Sequence, residues 1–121
     1  MCHTVYGAHK EKELNDSRGP ESLRLELRRG VLVLAVLAAL RDEHYGYTLC
    51  KLLNAGGVEI GESTLYPLLR RLESQDLLTS EWREENKRRK RFYRLSASGQ
   101  RVLATLTEEW NAINRSLEKL L

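Results

Sequence analysis

The sequence predicts a mainly α-helical protein that carries one small β-hairpin. Three observations predict this class: 121 residues fit a single domain, helix-forming Leu, Glu, Arg and Ala are abundant beside only two prolines, and one short basic region resembles a pair of strands. A hydrophobic share of 41% and a charged share of 31% are those of an ordinary globular chain. A domain of this size builds a modest core and leaves no room for a spacious enclosed active site.

The first forty residues predict an arm and then a buried helix. Residues 1–20 are polar and end in Gly-Pro, so we expect a flexible N-terminal arm or a short peripheral helix. The first main helix is predicted from Leu23 to Arg41. Its apolar run from Val31 to Leu40 is about half as long as a membrane span, which indicates a helix buried in the fold.

A turn and a short second helix follow. We expect the turn over residues 42–45, after which Gly46-Tyr47 opens a helix from Thr48 to Asn54. Two glycines then end this helix, and a loop leads to the third.

The third helix combines an apolar stripe with a polar face. One stripe at i, i+3, i+4, i+7 spacing is formed by Leu65, Leu68, Leu69 and Leu72. Because Pro67 is tolerated only near a helix start, the N-cap is predicted at Ser63 and no earlier than Gly61. The remaining face offers groups that contact phosphates and base edges, although outward arginines also occur on solvated surface helices. The predicted DNA-binding residues of this helix are Ser63, Thr64, Tyr66, Pro67, Arg70 and Arg71.

Two short runs after this helix predict the hairpin. They span Leu77–Arg83 and Arg91–Leu95 and are separated by a polar turn around Asn86. From Thr79 to Arg101 there are eight Lys or Arg against three Glu, whereas the net charge of the whole chain is only +3. Positive charge concentrated beside a polar helix face is typical of a nucleic-acid binder, although basic runs also occur as solubilising loops. The predicted DNA-binding residues of this segment are Lys87, Arg88, Arg89, Lys90 and Arg91.

Ser96 is predicted to cap a long last helix from Ala97 to Leu121. Its apolar residues recur in steps of three and four, as in the seam of a coiled coil, and they predict contact with the same helix of a second copy. The alternative is that this helix packs on its own domain. The predicted dimerisation residues are Leu103, Leu106, Trp110, Ile113, Leu117 and Leu120.

Trp110 is the one large aromatic side chain on that stripe. Across a two-fold axis each Trp110 would face its counterpart, and a gap between the rings would accept a flat, hydrophobic or cationic molecule. Alternatively, both rings pack as dimer core without a cavity.

Three helices, a hairpin and a further helix is the order of a winged helix-turn-helix domain with one appended helix. The predicted domains are an arm over 1–20, a winged helix-turn-helix domain over 21–96 and a dimerisation helix over 97–121.

Three motifs in this order resemble the PadR-like transcriptional regulators. They are Gly46-Tyr47-x-Leu49, Thr64-Leu65-Tyr66-Pro67-Leu68-Leu69-x-Arg71-Leu72-Glu73 and Arg91-x-Tyr93-x-Leu95-Ser96-x-x-Gly99. The resemblance covers about Leu23 to Leu121, and the single carboxy-terminal helix is similar to the smaller subgroup. Glu109-Trp110 is similar to multidrug-responsive members in which paired tryptophans flank a ligand pore between subunits.

The sequence departs from this family at three places. The family commonly has Glu at the position of Thr48, Gly or Ala at that of Ser63, and a glycine-bearing wing tip at residues 86–90. The basic tip implies a wing that grips phosphate more strongly than usual.

Metal, cofactor and catalytic chemistry are not predicted. Cys2, His3 and His9 match no common zinc spacing, His44 precedes a glycine turn, and no nucleophile elbow, zinc-protease or phosphate-loop motif is present. Cys2 and Cys50 do not make a disulfide framework, and no secretory signal is visible, so we expect a cytoplasmic protein.

The sequence therefore predicts a homodimeric, sequence-specific DNA-binding transcriptional regulator that acts as a repressor and responds to a ligand. Its predicted partners are a double-stranded DNA operator, a second copy of itself and a small hydrophobic or cationic inducer, with no membrane. The alternative is a winged-helix module for protein–protein interaction that does not bind DNA specifically.

Overall fold

The computed structural model describes residues 11–121, with side chains from residue 19 onward. Four helices and three strands follow in the order α1 (Glu11–Ala39), β1 (His44–Tyr45), α2 (Gly46–Ala55), α3 (Glu62–Ser74), β2 (Leu78–Glu85), β3 (Arg88–Leu95) and α4 (Ala97–Leu120). This confirms the predicted class. The first ten residues of the expected arm, with the rejected metal candidates Cys2, His3 and His9, lie outside the described residues.

Helix α1 is longer than its sequence pattern predicted. It begins at Glu11 rather than Leu23 and passes through Pro20 without a break, so residues 11–20 are helical. The predicted burial of residues 31–40 is confirmed in part, because Val36, Leu37 and Leu40 are completely buried and the other residues of this run are half-buried. The helix is thus a central core element over its last turns.

A third strand lies where the sequence indicated only a turn. Strand β1 pairs antiparallel with β3 through His44↔Tyr93 and Tyr45↔Phe92, which gives the sheet order β1-β3-β2. The predicted hairpin of β2 and β3 is present, but the sheet has a third strand that the sequence did not indicate. Two residues carry no periodic pattern, and this strand forms only because the free edge of β3 offers backbone hydrogen-bonding groups to it.

The hairpin β2–β3 extends further toward its tip than predicted. Pairing continues to Glu85↔Arg88, and only Asn86 and Lys87 remain in the turn. Both turn residues have positive φ, 54° and 64°, as a two-residue type I′ turn requires. Asn tolerates this conformation well, whereas Lys87 adopts it at a conformational cost, at the position where such a turn favours glycine.

The core joins the helices to the base of the sheet. On α3, Leu65, Leu69 and Leu72 are buried and Leu68 packs at their margin, which confirms the predicted stripe. Ser96 caps α4 as expected, since its Oγ accepts a hydrogen bond from the Gly99 N–H at 2.9 Å.

Asn54 fixes the connection between α2 and α3. Its Nδ2 donates to the carbonyls of Cys50 (2.8 Å) and Ile60 (2.9 Å), and its Oδ1 accepts from the Ile60 N–H at 3.3 Å. These bonds tie the loop to α2, so they set where α3 begins. Among the helices of the described chain, none has the length and apolar character of a membrane span.

Candidate nucleic-acid interface

Helix α3 begins two residues earlier than predicted. Its N-cap is Gly61, whose carbonyl accepts from the N–H groups of Thr64 (3.1 Å) and Leu65 (3.0 Å), so the assignment of the cap to Ser63 was wrong. Glycine is an acceptable N-cap because its backbone adopts the extended conformation that the cap needs. Ser63 and Thr64 therefore lie within the first turn, where the backbone N–H groups point toward the N-terminal end of the helix.

The polar face of α3 is open to solvent. The exposed residues on it are Ser63, Thr64, Pro67, Arg70 and Arg71. Pro67 lies in the second turn and lacks the N–H that would bond the Ser63 carbonyl, which leaves that carbonyl without its helical donor. This face therefore presents hydroxyls, a carbonyl and two guanidinium groups.

Tyr66 serves the fold as well as the surface. A Cβ on Gly46 would lie 2.2 Å from the Tyr66 hydroxyl oxygen, so the ring packs directly over the first residue of α2 and needs glycine there. Its side chain is still 36% exposed. Burial raises the pKa of the Tyr66 hydroxyl, and the negative charge of Glu62 raises it further. The hydroxyl therefore stays protonated and can donate a hydrogen bond. The sequence predicted only a DNA contact for this residue.

One face of the hairpin is turned toward α3. Arg91 Nε donates to Ser80 Oγ at 2.9 Å, Arg91 Nη2 bonds Glu73 Oε1 at 3.2 Å, and Ser80 Oγ donates to Glu73 Oε2 at 2.6 Å. Arg91 thus joins the hairpin to α3. Its role in binding DNA stays a prediction, but its guanidinium is paired with a carboxylate and so is less available for DNA than the sequence indicated.

Lys90 is also engaged within the protein. Its Nζ donates to Glu85 Oε1 at 3.3 Å and to the Tyr45 hydroxyl at 3.4 Å, and lies 4.4 Å from the centre of the Tyr45 ring. It is less available for DNA than its position in the basic run indicated. Within the described residues, Lys87, Arg88 and Arg89 have no such carboxylate partner, and all three are exposed.

A cleft separates α3 from the hairpin. It has a volume of about 370 Å³ and contains no acidic residue among its described lining side chains. The lining residues are Tyr45, Gly46, Tyr66, Arg70, Trp82, Arg89, Lys90, Arg91 and Tyr93. No function was predicted from the sequence for Trp82 or Tyr45. Trp82 was detectable as a large aromatic residue in a predicted strand beside the basic run, whereas Tyr45 reaches the cleft only through the unpredicted pairing of β1.

Helix α4 divides into a buried and an exposed part. Leu103 is buried in the core and Leu106 packs against that core. Leu103 was predicted to contact a second copy, but its burial makes it unavailable for that contact. Beyond them the helix leaves the domain. The exposed apolar stripe, as we name it, consists of Trp110, Ile113, Leu117 and Leu120, which are 40%, 46%, 42% and 80% exposed.

Two helices joined by a tight connection, a hairpin beside the second of them and a third strand at its edge define a winged helix-turn-helix protein. Among the side chains that the structure describes, no group of His, Cys, Asp and Glu is arranged to hold a metal ion.

The chain belongs to the transcriptional regulator PadR-like family, whose model matches residues 33–105. It is 35% identical over 97 residues to the transcriptional regulator Rv3488 of Mycobacterium tuberculosis, covering 79% of this chain and 88% of that protein. A PadR family regulator from Eggerthella lenta is similar in structure, with a TM-score of 0.78, 43% identity, and coverage of 88% of this chain and 96% of that one. Bacillus subtilis PadR in complex with operator DNA has a TM-score of 0.59 and 27% identity, over 64% of this chain and 46% of that one.

The family resemblance predicted from the motifs is confirmed. Because the family consists of transcriptional regulators, the prediction that the chain is not an enzyme is confirmed as well.

The three family motifs contact one another in the fold. Gly46 of the first accommodates the Tyr66 ring of the second, and Glu73 of the second binds Arg91 of the third. Gly99 of the third packs where a Cβ would lie 2.1 Å from the Leu77 carbonyl oxygen. The motifs therefore hold α2, α3, the hairpin and α4 in fixed relation.

At Thr48, where the family commonly has Glu, the side chain makes local contacts. Its hydroxyl donates to the Tyr45 carbonyl at 3.1 Å and lies 3.2 Å from His44 Nδ1. The substitution thus leaves a satisfied polar group at the start of α2.

Proposed function

We propose that this protein is a homodimeric, sequence-specific DNA-binding repressor that acts in the cytoplasm and is released by a small hydrophobic or cationic molecule. One observation carries the DNA-binding part. The exposed polar face of α3 and the exposed basic tip of the hairpin flank a single cleft whose described lining includes four cationic residues and no acid. The operator complex of the B. subtilis relative supports the same function for this fold.

In this proposal α3 enters the major groove. Ser63 and Thr64 lie at the helix N-terminus, where their hydroxyls and the positive end of the helix dipole suit a phosphate. Arg70 contacts a base edge, since its guanidinium has no carboxylate partner within the described residues and its fork matches the two acceptors of guanine. Pro67 and Tyr66 supply apolar contact, and Arg71 lies at the flank.

The hairpin tip supplies contact that does not depend on sequence. Lys87, Arg88 and Arg89 neutralise backbone phosphates, and each contact releases counterions from DNA. Lys90 and Arg91 support the tip from within through their bonds to Glu85 and Glu73.

Selection from a random duplex library, followed by affinity measurements over a range of salt concentrations, tests this function. We expect enrichment of a site with two half-sites and an affinity that falls steeply with salt. The alternative, a protein–protein interaction module, predicts no enriched site and only non-specific retention. Recovery of no preferred sequence would contradict the proposal.

The exposed apolar stripe of α4 supports the homodimer. Exposed at 40–80%, these four side chains form a continuous seam that a second copy would cover, because a two-fold interface repeats one patch on both subunits. Sedimentation of the full chain should give a dimer at micromolar concentration. A Leu117→Asp variant should sediment as a monomer, while Glu118→Gln, a neighbouring change off the stripe, should remain dimeric.

Trp110 supports the response to a ligand. In the dimer, paired rings either flank a gap that accepts a planar molecule or pack together without one. The Trp82→Phe variant leaves Trp110 as the sole tryptophan, so titration with planar cationic dyes reports on it directly. Quenching at Trp110 with release of DNA is the expected result, and no quenching by a broad dye panel would refute the ligand response.

Trp110→Ala separates the two arrangements. If Trp110 only flanks a gap, the variant protein loses dye binding but still dimerises and binds DNA with unchanged affinity. If Trp110 is part of the dimer core, the variant protein loses roughly 3 to 5 kcal/mol of packing free energy and no longer dimerises.

A further inference from the structure

Trp82 occupies an unusual place on the hairpin. It pairs with Arg91 across the strands, and its ring lies 5.0 Å from the Arg89 guanidinium carbon and 5.4 Å from that of Arg91. These two cations fix the orientation of the ring at one wall of the cleft. Even so, 52% of the side chain is exposed.

Of the two arginines beside the Trp82 ring, one forms an ion pair and the other does not. Arg91 is held by Glu73 at 3.2 Å, whereas Arg89, which lies opposite Glu84 across the strands, forms no ion pair within the described residues. Beside the exposed ring there is thus one unpaired guanidinium, on the same face of β3. An apolar surface next to a free cation fits a ligand with a carbon framework and an anionic group.

The geometry of DNA supplies such a ligand at this place. If α3 lies in the major groove and the hairpin tip reaches the adjacent minor groove, the sugar-phosphate strand between the two grooves has to pass between α3 and the hairpin. That is the position of the cleft. The strand carries deoxyribose rings, which are apolar on one side, between phosphates.

We propose that Trp82 is a DNA-contacting residue that packs against the deoxyribose of the strand between the grooves, while Arg89 binds the adjacent phosphate. This rests on the proposed DNA-binding function and adds a residue and a contact to it. Covering the exposed ring buries a substantial part of the roughly 150 to 250 Å² that a tryptophan offers. Because sugar is the same in every nucleotide, the contact strengthens binding without selecting a sequence.

Acrylamide quenching of tryptophan fluorescence tests this contact. Trp110→Phe leaves Trp82 as the sole reporter, and the probes are a duplex of the selected operator and a mixed-sequence duplex at low salt. On saturation with either duplex, we expect the quenching constant to fall by about half or more, because DNA covers the ring. The matched control is Trp82→Phe, in which Trp110 on α4 should show no change on adding DNA.

Affinity measurements supply the second arm. Trp82→Ala should weaken binding to both duplexes by the same factor, about tenfold per subunit for a ring that covers part of a sugar. Trp82→Phe should retain most of the affinity, since a flat apolar ring remains. A merely structural role would instead lower the melting temperature of Trp82→Ala without protecting the ring from acrylamide in the Trp110→Phe protein.

The outcomes separate the two proposals. If labelled duplex binds and Trp82 remains as accessible as in the free protein, the contact is refuted and the DNA-binding function stands. If neither duplex binds, the function itself fails.

Discussion

Two exposed surfaces of this molecule have opposite chemical character. The cationic surface, formed by Arg70 and Arg71 of α3 with Lys87, Arg88 and Arg89 of the hairpin, is polar and borders a cleft. The exposed apolar stripe of α4 consists of hydrophobic side chains that face solvent. Charged groups are stable in water and gain from a polyanion through counterion release, whereas an apolar stripe gains only when another apolar surface covers it. The two surfaces therefore suit different partners.

The largest expected effect is a difference between two leucine substitutions on α4, one in the core and one on the exposed apolar stripe. Leu103→Ala leaves a cavity in the core and should lower the free energy of unfolding by about 2 to 5 kcal/mol at every protein concentration. Leu117→Ala removes the same atoms from the exposed stripe, so its cost should appear as weaker dimerisation and depend on concentration. Chemical denaturation at two concentrations checks both variants. Equal, concentration-independent losses would refute the division of the helix.

Arg70→Ala probes the proposed contact of α3 with the major groove. We expect a loss of roughly 1 to 3 kcal/mol in operator binding and relaxed preference at one position of each half-site. Repeating the selection with the variant measures this change. Arg94→Ala, an exposed arginine on the other face of the hairpin, serves as the matched control. An unchanged selected sequence for Arg70→Ala would show that α3 does not read DNA through this residue.

Neutralising Lys87 and Arg88 together to Gln probes the hairpin tip. Operator and mixed-sequence DNA should be bound more weakly by the same factor, and the plot of log affinity against log salt should flatten by about one unit for each phosphate that is no longer neutralised. Titrations at several salt concentrations give the slope. The double change of Arg94 and Arg101 to Gln removes the same charge and should leave the slope unaltered; an unaltered slope in both would mean that the tip faces solvent.

Glu73→Gln has the smallest expected effect on stability. Glu73 and Arg91 are both partly solvent-exposed, so we expect a loss of no more than about 1 kcal/mol on unfolding. Arg91 then lacks its carboxylate, and non-specific DNA binding should tighten with a slope steeper by about one unit. The control is Glu81→Gln, which removes an equal charge from the pair with Arg83. Weaker DNA binding by Glu73→Gln would instead mean that the pair positions the hairpin on α3.

The sequence alone determined the helices with strong periodicity and the distribution of charge. The leucine stripe of α3, the Ser96 cap and the basic hairpin were all readable, because each depends on residues only a few positions apart. The family motifs were readable for the same reason.

Only the tertiary structure decided which side chains are free to act. Strand β1 exists because β3 offers it an edge, and Arg91 is occupied because Glu73 lies within reach of it although the two are far apart in sequence. Leu103 and Leu117 continue one sequence pattern, yet the core reaches the first and not the second. Periodicity gives the face of a helix, but burial and ion pairing depend on what else the folded chain brings to that face.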